Sequence, residues 1–109
     1  MADLTPIQVL VIEDDADTRA NLRDILELDH CHVVTAENAA QALDRKNWSD
    51  FAAIILDRKL PDGSADELLP QIKQLAPHAA VVVATGHSDV DGAIAALRTT
   101  RIADLSGEL

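Results

Sequence analysis

The 109-residue chain is long enough for one hydrophobic core and short for two. Its 48% apolar and 26% charged residues match an ordered globular domain, and its net charge of −10 argues against contact with nucleic acid or anionic membranes. Cations and basic protein surfaces are the partners such a charge suits. No apolar run reaches the ~18 residues of a membrane span, and the first eight residues have neither the basic start nor the apolar centre of a signal peptide. A cytoplasmic protein is expected. The lone Cys31 cannot build a disulfide framework within one chain and reads as a packing residue.

Along the chain, Val9 to Ile12 is a continuous apolar run, as expected of a strand covered on both faces of a parallel sheet. It leads directly into Glu13, Asp14, Asp15 and Asp17. Asp15 or Asp17 can cap a helix in which Leu22, Ile25 and Leu26 recur at helical spacing, with Arg19 and Arg23 turned outward and an end near His30. "CHVVTA" predicts a second strand, and "ENAAQALDRKN" a second helix with Trp48 packed beneath it. "FAAIIL" predicts a third strand ending at Asp57. "LPDGS" reads as a turn, followed by the helical pattern of "ADELLPQIKQL". Pro70 inside that pattern predicts a kink or a later helix start, because an interior Pro costs ~3 kcal/mol. "AAVVVAT" predicts a fourth strand and "SDVDGAIAALRTT" a fourth helix, while "IADL" could add a shortened fifth strand. Four strands alternating with four helices imply an α/β, flavodoxin-like doubly wound parallel sheet, (βα)4, within one domain spanning residues 1–109.

In such sheets ligands bind beyond the carboxyl ends of the strands, where strand order reverses. Glu13, Asp14 and Asp57 all stand at strand ends, and would share one basin if the first and third strands are neighbours. Crowded carboxylates repel one another, and a hard divalent cation such as Mg2+ relieves the repulsion while keeping several waters. Alone, Glu13 and Asp14 read equally well as a helix-capping acidic loop; beside Asp57 and Thr85 the metal reading prevails. Thr85, ending the fourth strand, adds a hydroxyl. An ionised carboxylate can attack phosphorus to form an acyl phosphate, so Asp57 is the candidate nucleophile. His30, His32, His78 and His87 lack metal-ligand spacing, and Asp62 and Gly63 read first as turn residues.

The acidic pair Glu13 and Asp14, Asp57 after the third strand, "LPDG" at 60–63 and "ATGHSD" at 84–89 together resemble the receiver domain of two-component response regulators, over Ile7 to about Arg98. The resemblance implies that Asp57 is the phosphoacceptor, Asp14 a direct ligand of Mg2+ or Mn2+, and Glu13 an acid acting through metal-bound water. It implies further that the Lys59 backbone carbonyl completes the protein ligands and that Thr85 is the switch hydroxyl. A histidine kinase or phosphotransfer protein is the implied partner, and the implied role is signalling rather than enzymatic. The chain departs from the family after its fourth helix. "TTRIADLSGEL" stands where the usual aromatic-bearing fifth strand, Lys-Pro pair and fifth helix are expected, so residues 99–109 read as either divergent or shortened. Lys46, Lys59 and Lys73 are the only lysines, none in the place of the lysine that contacts phosphate. Metal binding is therefore expected to survive better than switching. The missing fifth helix would expose an apolar face, which suggests a homodimer. Two other functions compete. A pseudo-receiver would dock proteins without phosphate. "DADT", Asp15 to Thr18, mimics the nucleophile loop of haloacid-dehalogenase-type phosphatases, but its register is wrong because Glu13 and Asp14 precede it.

Overall fold

The computed structural model describes residues 7–28 and 30–84. In chain order these form β1 (Ile7–Ile12), α1 (Ala16–Leu28), β2 (Cys31–Ala36), α2 (Ala39–Leu43), a 3-10 turn (Trp48–Asp50), β3 (Ala53–Asp57), β4 (Lys59–Leu60), β5 (Gly63–Ser64), α3 (Ala65–Leu75) and β6 (Ala80–Ala84). Four strands make one sheet in the order β2-β1-β3-β6, all neighbours parallel. The doubly wound, flavodoxin-like sheet expected from the apolar runs is present, and β1 and β3 are neighbours. Strand order reverses at β1: the first crossover leads to β2 on one side and the next to β3 on the other.

The strand residues alternate between two cores because successive side chains point to opposite faces. Leu10, Ile12, Ile54 and Leu56 pack with Ala42 of α2 and Leu68 and Ile72 of α3 on one face. Val9, Val11, Ala53 and Ile55 pack with Leu22 and Leu26 of α1 on the other. Each fully buried Leu, Ile or Val stabilises by roughly 1.5–3 kcal/mol relative to exposure, so the sheet centre is the most strongly held part. No polar or charged residue is buried among the described residues, which leaves the chemistry to the rim. Cys31 is buried in the α1-side core, the packing role expected of it.

Several boundaries differ from the sequence reading. α2 is a five-residue helix, and the polar run Asp44 to Asn47 leads into the 3-10 turn instead of extending it. The buried Trp48 explains that break, since its ring packs in the α2–α3 core and meets Phe51 edge-on at 6.3 Å between centroids. α3 runs from Ala65 to Leu75 with Pro70 inside it, not from a later start. Burial of Ala65, Leu68 and Ile72 on one face outweighs the lost backbone bond, and Pro70 itself is exposed. "LPDGS" is more than a turn: Lys59 pairs with Ser64 and Leu60 with Gly63 in a two-residue antiparallel ladder. α1 ends at Leu28, and His30 takes a left-handed φ of 64°, the conformation that lets the chain leave a helix and enter β2. The expected fourth helix at 88–100, the "IADL" strand and Thr85 lie outside the described residues.

Candidate metal and phosphoryl site at the sheet rim

Parallel register brings the acidic residues together. Ile12 pairs with Leu56, so the next step along both strands sets Glu13 beside Asp57, and Asp57 in turn pairs with Ala84 of β6. The Glu13 backbone N–H donates to the Ala36 carbonyl at 3.0 Å, which ties the end of β1 to β2 as well. Asp14 follows, exposed to solvent, while Glu13 and Asp57 are half-buried. One carboxylate oxygen from each of Glu13, Asp14 and Asp57 lies within 4.8 Å of the others. The basin sits where strand order reverses, outside the carboxyl ends of β1 and β3, as the sequence pattern predicts.

The electrostatics of this basin favour a cation. Burial pushes the Glu13 carboxyl up from 4.5 to about 8, reinforced by its hydrogen bond to Asp57, the Asp57 charge and its hydrogen bond to Asp14, while the Asp15 backbone N–H opposes the shift. Its Oε2 is buried without a hydrogen-bond donor. An acceptor desolvated beside two other carboxylates is the environment a hard divalent ion stabilises, since the ion replaces the missing donor and cancels the repulsion. Oxygen-only ligands at a shallow rim suit Mg2+ or Mn2+, and the residues present fit such an ion.

The acidic run divides as its residue types suggest. Asp15 turns away to cap α1: its Oδ2 accepts from the Thr18 backbone N–H at 2.8 Å and from the Thr18 hydroxyl at 2.6 Å. Asp17 lies in the first helical turn, where the helix dipole favours negative charge. With Asp15 occupied as a cap, the phosphatase-loop reading of Asp15 to Thr18 finds no support in the geometry. Arg19 is not turned outward. Its guanidinium folds back to donate to the Glu13 carbonyl at 2.9 Å and the Asp14 carbonyl at 3.3 Å, and it pairs with Glu37 at 3.3 Å. It braces the backbone that carries both acids. Sequence reasoning missed this because a long side chain on a helix defaults to solvent; the only local signal is a basic residue one helical turn beyond an acidic loop.

Asp62 was also missed as more than a turn residue. From the β4–β5 turn, its carboxylate accepts from the Ala39 N–H at 2.9 Å and the Ala40 N–H at 3.0 Å, at the start of α2. Those two donors hold its carboxyl below the usual carboxylate value. Asp62 lies 23 residues from Ala39, so no local pattern could have found the contact. Lys59 stands in β4, two positions after Asp57. His30, His32 and His78 do not join the acidic group, the only cluster of three or more potential metal ligands among the described residues.

The family model for the response regulator receiver domain matches residues 9–104. The chain belongs to that family. The match extends past the point where the sequence resemblance was expected to fade, near Arg98. Among curated proteins, the chain is 36% identical over 92 residues to the transcriptional regulatory protein FixJ of Azorhizobium caulinodans, covering 84% of this chain and 44% of FixJ. It is likewise 36% identical over 92 residues to the C4-dicarboxylate transport transcriptional regulatory protein DctD of Pseudomonas aeruginosa, covering 84% of this chain and 20% of DctD. The chain thus spans less than half the length of these relatives. A receiver domain from Clostridium thermocellum superposes with a TM-score of 0.68 at 34% identity, covering 86% of this chain and 76% of that one. The response regulator TrrA of Thermotoga maritima, solved in complex with Mg(2+)-BeF, superposes at 0.67 with 27% identity, covering 75% and 71%. This receiver is therefore a two-component signalling domain by family, with its acidic residues gathered at the rim of the sheet. Among the described residues no helix is long and apolar enough to cross a membrane.

Proposed function

We propose that this receiver is a phosphoacceptor, with Asp57 taking a phosphoryl group from the phosphohistidine of a histidine kinase or phosphotransfer protein. The observation that carries the reading is the meeting of Glu13, Asp14 and Asp57 within 4.8 Å, with Glu13 Oε2 buried and undonated. An Asp57 carboxylate oxygen forms the new bond to phosphorus; the phosphorus–nitrogen bond of the donor breaks, and its electron pair leaves with the imidazole, which takes up a proton. Asp14, Asp57 and the Lys59 carbonyl would hold a Mg2+ or Mn2+ ion, with Glu13 beside them. Such an ion supplies charge neutralisation between the carboxylates and the incoming phosphoryl oxygens.

The chain's own residues prepare this chemistry. Arg19 fixes the backbone that presents Glu13 and Asp14, and the β1–β3 register fixes Asp57 next to them. Thr85 follows Ala84, the register partner of Asp57, and is the hydroxyl proposed to bond the phosphoryl group and pass the switch to the surface. The net charge of −10 suits a basic kinase or phosphotransfer surface better than nucleic acid, and a cytoplasmic site of action accords with such partners. The transcriptional roles in the names of FixJ and DctD belong to those whole proteins. TrrA, whose solved form carries Mg(2+)-BeF, supports the cation reading by likeness.

The test is incubation of the folded protein with Mg2+ and a small acyl phosphate, read by intact mass. The expected result is a gain of one phosphoryl group that does not form when chelator is present from the start and is absent in Asp57→Asn. A folded protein that gains no mass overturns the phosphoacceptor reading and favours the phosphate-independent docking module.

A further inference from the structure

The β4–β5 hairpin directly follows Asp57 and carries Lys59, and its position depends on few contacts. At its root Leu60 is buried in the α2–α3 core, and the Ala65 N–H donates to the Arg58 carbonyl at 3.0 Å. At its exit Ser64 caps α3, accepting from the Glu67 N–H at 3.4 Å. At its tip Asp62 reaches across to α2, with one carboxylate oxygen on Ala39 N–H and the other on Ala40 N–H. Asn38 accepts from Gln41 N–H at 2.8 Å, so the first three helical N–H groups of α2 are all taken by side chains, two of them by Asp62.

A helix of five residues cannot hold itself together, because nucleation costs more than so few backbone bonds return. α2 therefore relies on tertiary support, from the burial of Ala39 and Ala42 and from the bonds to Asp62, and those bonds tie the hairpin tip to α2. The two oxygens of one carboxylate on successive N–H groups fix both distance and orientation, which a single bond would not. Leu60 anchors the root of the hairpin in the core, whereas Pro61 and Asp62 at its tip are exposed, and the Asp62 carboxylate is what ties that tip to α2.

We infer that Asp62 is a positioning residue for the phosphoryl site: by clamping the β4–β5 hairpin to the start of α2 it holds the Lys59 backbone where a divalent cation beside Asp57 can use it. This inference rests on the proposed cation site. Removing the clamp frees the hairpin tip and leaves the acidic cluster itself unchanged, so the cost falls on cation affinity through the Lys59 carbonyl. Groups that orient metal ligands without touching the metal commonly alter affinity by about tenfold or more. By reciprocity, a cation that uses the clamped hairpin must also tighten the clamp.

The experiment measures Mg2+ affinity and amide hydrogen exchange in the wild type, Asp62→Ala and Asp62→Asn, with folding checked by circular dichroism. In the wild type, Mg2+ is expected to slow exchange at Ala39 and Ala40, residues remote in sequence from every proposed ligand. Asp62→Ala is expected to weaken Mg2+ binding about tenfold and to abolish the Mg2+ effect on those amides, with Asp62→Asn intermediate because its amide oxygen still accepts one bond. Exchange at Ala39 and Ala40 that rises in Asp62→Ala while Mg2+ affinity stays at the wild-type value shows a helix cap with no positioning role, and overturns the inference. A wild type that binds no Mg2+ overturns the cation site and this inference with it, which separates the two failures. If Asp62→Ala does not fold, the Asp62→Asn affinity and the wild-type exchange response decide alone.

Discussion

Replacing Asp57 by Asn should make the cation-free protein more stable, although it removes the residue on which the proposed function depends. The ligating oxygens of Glu13, Asp14 and Asp57 lie within 4.8 Å of one another. Glu13, raised to about 8, carries its proton at neutral pH, so the repulsion that Asp57→Asn relieves there is that between the Asp57 and Asp14 carboxylates. Two unit charges at that separation repel by roughly 1 kcal/mol at the dielectric of water and by roughly 3.5 kcal/mol at an effective dielectric of 20. Because the basin opens to solvent at Asp14 and both other acids are only half-buried, the lower figure applies, about 1 kcal/mol. For a domain near this size that corresponds to a rise in Tm of roughly 4–8 °C.

The pH dependence has a definite sign. Glu13 titrates near 8 in the fold against 4.5 unfolded, so between those values the folded state holds more protons than the unfolded one. The stability tied to Glu13 is thus complete below 4.5 and is lost as pH rises through 8. Asp57→Asn removes the Asp57 charge that reinforces this shift but leaves burial, its largest cause, so the loss between pH 4.5 and 8 becomes shallower without vanishing. The assay is thermal unfolding in chelator from pH 5 to 9, repeated with Mg2+. Wild type should recover stability with Mg2+, by about 2.7 kcal/mol at a hundred times the dissociation constant, and Asp57→Asn by much less. An Asp57→Asn protein that melts at or below the wild type in chelator, with an unchanged pH slope, would refute the crowded-carboxylate account.

Further outcomes follow from the same structure. Asp15→Ala should cost about 1 kcal/mol through loss of the α1 cap yet leave phosphoryl gain on Asp57 intact; loss of that gain in a folded sample would return Asp15 to the chemistry. Pro70→Ala should stabilise the protein by up to ~3 kcal/mol, measured as a higher urea midpoint, because an exposed Pro inside α3 forgoes a backbone bond for no buried contact. Arg19→Gln should weaken Mg2+ binding, measured by titration, while Arg23→Gln on the same helix, whose contact is to the Thr35 hydroxyl at 3.4 Å, should not. Ile54→Ala should destabilise by about 2–5 kcal/mol, since its fully buried side chain leaves a cavity at the sheet centre.

Much of the candidate site is legible in the amino-acid sequence. The pair Glu13–Asp14 and, separately, Asp57 each follow an apolar run, and a parallel sheet brings strand ends to one rim, so topology alone brings Asp57 to an acidic pair more than forty residues before it. Asp15 is legible as a cap because its spacing to Thr18 is local. Arg19 is not, since its guanidinium has as much access to solvent as to a carbonyl until α1 is docked against β1. The extent of α2 is not legible either: Ala-rich propensity extends through "ENAAQALDRKN", and tertiary packing of Trp48 overrides it.

The sequence by itself determined the alternation of strands and helices, the two-sided sheet and the acidic strand ends, because hydrophobic period and charge placement are written locally. Only the tertiary structure decided how those ends are braced. The bonds of Arg19 to the Glu13 and Asp14 carbonyls, and of Asp62 to α2 across 23 residues, exist because the fold delivers donors and acceptors to one another. Hydrogen bonds of that kind satisfy backbone groups left open by short helices and loops, and which distant side chain fills them is settled by docking geometry, not by any neighbouring residue.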